Sequence, residues 1–257
     1  MINVVKIGGG VIDDAAALAF FLRDFASLPG KKILVHGGGR EATRLCERMD
    51  IPAVMIEGRR VTDSPTLDIV TMVYAGLINK RIVAMLQSIG CDAIGFSGAD
   101  GNLIPATRRS PVPVDYGYVG DINSGRVNSR LLELLLANGN VPVCCAICHD
   151  EHGELLNCNA DSVVAALARG LSYSEQVRLT YCFEKPGVML DPEDESTVIP
   201  EITPGSFAEL KADGVVSAGM IPKIQNALEC VANGVCEVRI CRASALGGSV
   251  GTVIRIK

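Results

Sequence analysis

Two apolar runs near the N-terminus, residues 4–7 and 31–36, each end in three consecutive glycines that lead into a helix-forming stretch. A strand that turns directly into a helix, twice in close succession, builds parallel sheet, because parallel neighbours need a crossover between them. The alternation continues along the chain. Helices are predicted over 13–26, 39–49, 65–87, 126–137, 159–169, 203–211 and 219–233, and further strands over 91–96, 140–147, 176–183, 236–241 and 251–257. Residues 97–125, rich in Gly, Pro and Asp, read as a hairpin excursion, and 185–204 as a loop. A break in composition at "RGLSYSE" predicts a lobe boundary near 170–175.

The formal charge is −5 and the basic residues are scattered, which argues against an electrostatic grip on nucleic acid or an anionic membrane. Each apolar run is read as cut by charge, Gly or Pro before it reaches the length of a membrane span. The N-terminus has no basic segment followed by an apolar one, so a cytoplasmic protein with ten reduced cysteines is expected. The run Cys145-Ala-Ile-Cys148-His149 matches the haem-attachment spacing. Its flanks, "VPVCCAIC", are those of a buried strand, and a second ligand pair for zinc is missing, so neither group is expected.

Glycines at the start of a helix let backbone N–H groups approach an anion at the positive end of the helix dipole. One triplet is weak evidence; two on adjacent parallel strands open at the same carboxyl edge, where α/β proteins bind ligands. No GxGxxG with a later acid and no GxxxxGK[ST] is present. Lys6 lies inside the first strand, ahead of its glycines. Asn159-Ala-Asp161 reads as an N-cap and first helical turn, in which Asp161 is a capping acid or a functional one. Lys223 falls in the first turns of a helix, where a cation is mildly unfavourable unless an anion accompanies it.

Together, Lys6 with Gly8-Gly9, "HGGG" at 36–39, "GRRVT" at 58–62, "GFSGADGNLI" at 95–104, "YGYVGDI" at 116–122, "NCNAD" at 157–161 and "GMIPK" at 219–223 resemble the amino acid kinase family, in order and over essentially the whole chain. The resemblance implies an α/β fold, a two-lobed three-layer α/β/α sandwich around a mainly parallel sheet. Residues 1–172 would hold an N-acylated glutamate and the dimer surface, and 173–257 would hold ATP. The implied reaction moves the γ-phosphoryl of ATP onto the substrate's side-chain carboxylate, with Mg2+ carried on the nucleotide phosphates and no metal cage in the protein. Lys6 and Lys223 match the lysines that stabilise the transferring phosphoryl, and Asp161 the acid that orients them. Gly8 and Gly9 match the loop against the ATP phosphates; Gly38, Gly39, Arg60 and Asn157 match substrate-binding positions.

Relatives carry a Ser/Thr-Asp-Val-x-Gly turn near the nucleotide, where this chain reads Thr180-Tyr181-Cys182-Phe183-Glu184-Lys185-Pro186-Gly187. Lys185 and Gly187 are the candidates there for nucleotide contact. The acyl pocket is not read from the residues, so acetyl, succinyl and an N-acetyl-aminoadipate substrate stay open, as does a ligand-binding homologue without turnover. Hexameric, arginine-inhibited relatives have a helix ahead of the first strand, whereas this sequence enters that strand at Ile2. A homodimer without arginine feedback, paired through the helix around 65–87, is expected.

Overall fold

Ile2, Val4, Val5 and Ile7 are fully buried, so β1 (Ile2–Ile7) is apolar on both faces, as a parallel strand covered from both sides must be. The computed structural model describes residues 1–191, 193–215 and 220–256. Around β1 it builds an eight-stranded sheet with β2 (Lys31–His36), β3 (Ala93–Phe96), β4 (Val141–Cys145), β5 (Val177–Phe183), β6 (Glu201–Ile202), β7 (Glu237–Arg242) and β8 (Thr252–Ile254). The spatial order is β6-β8-β7-β5-β1-β2-β4-β3. From β7 to β3 every neighbouring pair is parallel. β8 runs antiparallel to β7, and the short β6 follows β8. The sheet is continuous across residues 172 and 173, since Ile2 pairs with Val177.

The helices are α1 (Gly9–Asp13), α2 (Ala15–Ser27), α3 (Gly39–Arg48), α4 (Ser64–Thr71), α5 (Asn79–Gln87), α6 (Ser129–Ala137), α7 (Ala160–Ser172), α8 (Pro204–Ala212) and α9 (Ile221–Ala232). α6, α7 and α9 pack on one face of the sheet, α7 directly on β1, β2 and β5. α5, with α2 beside it, packs on β3 and β4. The mainly parallel sheet with helices on both sides is the architecture expected from the sequence.

Four local differences have physical causes. The helix predicted over 13–26 begins at Ala15, because Asp14 leaves the helical region and its carboxylate accepts from the N–H groups of Ala16 and Ala17 at 2.9 and 3.0 Å. The strand predicted over 140–147 ends at Cys145. Ala146 separates it from Ile147–His149, which pairs antiparallel with Leu155–Asn157. Glu201–Ile202 adds an edge strand inside the predicted loop. The stretch Ser64–Gln87 is one rod in which Met72–Ile78 is π-helical.

That rod corrects the expectation that no apolar run reaches membrane-spanning length. It has 24 residues, with a mean hydropathy of 1.5 over its most apolar 18-residue window, and among the described residues it alone is long and apolar enough to cross a membrane. In this fold its inner side, including Val70, Val73, Ile78, Ile82 and Leu86, belongs to the core. Residues 217–219 of the segment leading to Lys223 lie outside the described residues, and α9 is described from Ile221. Cys145 and Cys148 are fully buried in the core, as strand residues would be.

Candidate active site

Both glycine turns open at the carboxyl edge of the sheet, one on each of two neighbouring strands. Gly8 continues β1's pairing, its N–H donating to the Cys182 carbonyl at 2.9 Å, and then caps α1. A Cβ on Gly8 would meet that carbonyl oxygen at 3.1 Å, whereas one on Gly9 would meet nothing within 4 Å. Gly10 is crossed by the Glu184 carboxylate, which occupies the place of a Cβ. Gly38 caps α3 and abuts the π-helical stretch, with Ile78 Cδ1 and Tyr74 Cδ1 at 2.5 and 2.7 Å from its would-be Cβ. π-helical turns recur at functional sites because they displace side chains from helical register.

Lys6 pairs in register with Tyr181 of β5, so Lys6, Tyr181 and Phe183 share one face of the sheet, the face covered by α7. α7 begins at Asn159, whose side chain accepts from the Asp161 N–H at 2.7 Å. An acid in this first turn also suits the helix dipole. Asp161 Oδ1 lies 3.0 Å from Lys6 Nζ, both groups largely buried, in an ion pair not aligned as a hydrogen bond. From α9, Lys223 reaches the same place: its Nζ is 4.2 Å from the Phe183 ring centroid, and that of Lys6 is 4.8 Å away. Burial pulls the Lys223 ammonium below its ordinary pKa; Asp161 opposes this, Lys6 adds to it, and Glu184 opposes it again. Lys6, Asp161 and Lys223, far apart in sequence, are thus gathered at one point.

Beside it lies a cavity of about 250 Å³, lined among others by Gly38, Gly39, Arg60, Tyr74, Asn157 and Ala160. Asp161 is flanked in sequence by Ala160 and Ser162 of that lining. Arg60 is 8 % exposed; its Nη2 donates to the Gly39 carbonyl at 3.0 Å and to Thr43 Oγ1 at 2.7 Å. Its Nη1 is buried with no partner among the described residues. A buried guanidinium nitrogen without an acceptor is costly, and Arg60 also lines the cavity, where a guanidinium suits an anionic oxygen. Asn157 Nδ2 donates to Thr62 Oγ1 at 3.0 Å. His36 beneath the cavity is neutral: Nδ1–H donates to the Gly37 carbonyl at 2.8 Å and Nε2 accepts from Asn79 Nδ2 at 3.1 Å.

Lys185 is exposed after β5 and does not line the cavity, and Gly187 is buried, its missing Cβ explained by Thr252 Oγ1 at 2.7 Å. Sequence reasoning missed Thr43, Tyr74 and Arg109, all at the cavity or on Arg60, and assigned no role to Phe183. Thr43, one turn beyond Gly39, carried a helical-spacing signal. Tyr74 and Phe183 carried none.

Among proteins similar to this chain, the acetylglutamate kinase of Bacteroides thetaiotaomicron is 47 % identical over 254 residues, covering 99 % of this chain and 98 % of its own. That of Cytophaga hutchinsonii is 49 % identical over 95 % of this chain and 92 % of its own. Among solved structures, smu.665 from Streptococcus mutans superposes with a TM-score of 0.81 at 28 % identity, covering 100 % of this chain and 99 % of its own. Carbamate kinase from Giardia lamblia bound to AMP-PNP shares the fold, with a TM-score of 0.70 at 15 % identity over 100 % and 98 % of the two chains. The model of the amino acid kinase family matches residues 1–242, and the chain belongs to that family.

Proposed function

We propose that this chain is an N-acetylglutamate 5-kinase of arginine biosynthesis, transferring the γ-phosphoryl group of ATP to the side-chain carboxylate of N-acetyl-L-glutamate. The observation that carries the reading is the convergence of Lys6 and Lys223 beside Asp161, next to a cavity lined by the buried Arg60. Relatives named acetylglutamate kinase that align over nearly the whole chain support it. The acceptor carboxylate is ionised at neutral pH, so it attacks phosphorus without a general base. One carboxylate oxygen forms the new P–O bond as the bond to ADP breaks, giving an acyl phosphate. Catalysis then rests on positioning and on neutralising the phosphoryl oxygens.

Lys6 and Lys223 take the phosphoryl oxygens, Asp161 orients the lysines, and Gly8 and Gly9 form the turn against the nucleotide phosphates, which carry Mg2+, with Gly9 offering its backbone N–H. Gly38, Gly39, Arg60 and Asn157 hold the acylated amino acid, Arg60 Nη1 taking its α-carboxylate. Lys185 and Gly187 belong to the nucleotide side. Residues 1–172 serve the acylated substrate and 173–257 serve ATP, in a cytoplasmic homodimer without arginine feedback.

A second reading keeps the reaction and changes the acyl group to succinyl. Arg109, held by the Asp121 carboxylate through Nε at 3.1 Å and through Nη2, lines the same cavity as Arg60, and exchanging Asp121 for a substrate carboxylate would give the succinyl group its partner. ADP release measured with ATP and N-acetylglutamate, N-succinylglutamate or N-acetyl-aminoadipate tests both readings. The highest kcat/KM is expected for N-acetylglutamate. A preference of tenfold or more for the succinyl compound replaces the acetyl reading. Absence of ADP above background with every substrate makes the chain a binding homologue.

A further inference from the structure

The Phe183 ring is the common neighbour of the two lysines, and none of the roles above uses it. It ends β5, half-buried, with its ring parallel to Tyr181 within 4° at a centroid separation of 6.3 Å. Tyr181 is itself 2 % exposed, and its hydroxyl has no hydrogen-bond partner among the described residues. Tyr181 therefore contributes its ring, which lies parallel beside Phe183. Each ammonium group lies over the Phe183 ring, at 4.8 Å for Lys6 and 4.2 Å for Lys223 from its centroid.

Two like charges brought together repel, and each loses hydration as it is buried. Asp161 offsets this for Lys6 at 3.0 Å. A second carboxylate in contact would neutralise the pair and occupy the N–H donors that a phosphoryl group needs. An aromatic face attracts a cation through its quadrupole, yet it accepts no proton and leaves those donors free. We propose that Phe183 is a positioning residue for phosphoryl transfer, its ring, packed beside Tyr181, holding the Lys6 and Lys223 ammonium groups in place with their N–H donors free for the phosphoryl oxygens.

This inference rests on the kinase reading, and its test separates the two. Phe183→Leu removes the ring; Phe183→Tyr and Phe183→Trp keep it; 3,4,5-trifluorophenylalanine at the same position keeps the shape and abolishes most of the quadrupole. Expected is a kcat within about threefold of the unmodified enzyme for the Tyr and Trp variants. A fall of roughly tenfold is expected for the Leu and trifluoro variants, the scale of a desolvated cation–π contact. Both KM values should stay within about twofold, because the ammonium placement matters most as charge develops on the phosphoryl group. A role limited to packing does not respond to fluorination, so full kcat in the trifluoro enzyme overturns the proposal. In the unmodified protein, two lysine ε-methylene signals shifted upfield by the ring are expected by NMR without substrates, and their absence overturns it equally. An unmodified protein that shows those signals but releases no ADP overturns the kinase reading alone.

Discussion

Lys6→Ala and Lys223→Ala are each expected to lower kcat by roughly 10²–10³-fold, the usual loss for one preorganised charge stabiliser. Steady-state kinetics on both variants check this, and unchanged turnover in both overturns the assignment. Arg60→Ala should raise KM for the acylated amino acid while leaving that for ATP unchanged; the reverse would place Arg60 on the nucleotide. His36 carries a different prediction. Burial and nearby Lys80 lower its pKa from 6.5 to about 4, and the Gly37 carbonyl only partly opposes them. As pH falls below 6.5 the unfolded chain takes up a proton that folded His36 refuses, because Nε2 already accepts from Asn79. The stabilisation is full above pH 6.5 and declines towards pH 4, by on the order of 3 kcal/mol. Urea unfolding across that range should give a steeper pH dependence for the unmodified protein than for His36→Gln, and equal slopes would refute it. Lys6 and Asp161 were legible because each stands in a motif, Lys6 before its glycines and Asp161 behind an N-cap, whereas Arg109 stands in none. Phe183 was not legible, since a ring at a strand end reads as core until its cationic neighbours are seen.

At the scale of elements, the two glycine turns look alike in sequence and differ in structure. Gly38 is closed in by Ile78 and Tyr74 of the π-helical stretch, and Gly9 faces open space. Gly38→Ala should cost about 1–3 kcal/mol through overpacking and raise KM for the acylated substrate, since Tyr74 lines the cavity. Gly9→Ala should leave the urea midpoint unchanged or slightly raised and increase KM for ATP. Equal stability losses in the two variants would mean that both glycines are explained by packing. The alternation of strand and helix could be read from hydrophobic period alone, and so could the rod around 65–87. Its π-helical turn could not, because the apolar run Met72–Ile78 carries no residue pattern that separates a π turn from an α turn. The end of β4 at Cys145 was likewise invisible within an unbroken apolar run; the pairing of Ile147–His149 with Leu155–Asn157 decides it.

At the scale of the molecule, the rod Ser64–Gln87 buries one side and leaves Met72 and Leu77 half exposed, at 51 % and 44 %. Sedimentation equilibrium should find a particle of two 27.1 kDa chains, and Met72→Asp with Leu77→Asp should shift it to one. A single chain in the unmodified protein would remove the dimer. Composition predicts a lobe boundary near 170–175, and the uninterrupted sheet across those residues was not legible, because strand order depends on partners distant in sequence. That sheet has a consequence for how the site responds to local opening. β1 is hydrogen-bonded on both sides, by β5 and β2, and its apolar side chains are fully buried. Its amides exchange with solvent only when the whole protein opens, whereas the first turn of a flanking helix frays far more often. Lys6 is therefore expected on a slow-exchanging strand and Lys223 on a faster-exchanging turn, so mild warming should loosen one lysine of the proposed phosphoryl grip before the other.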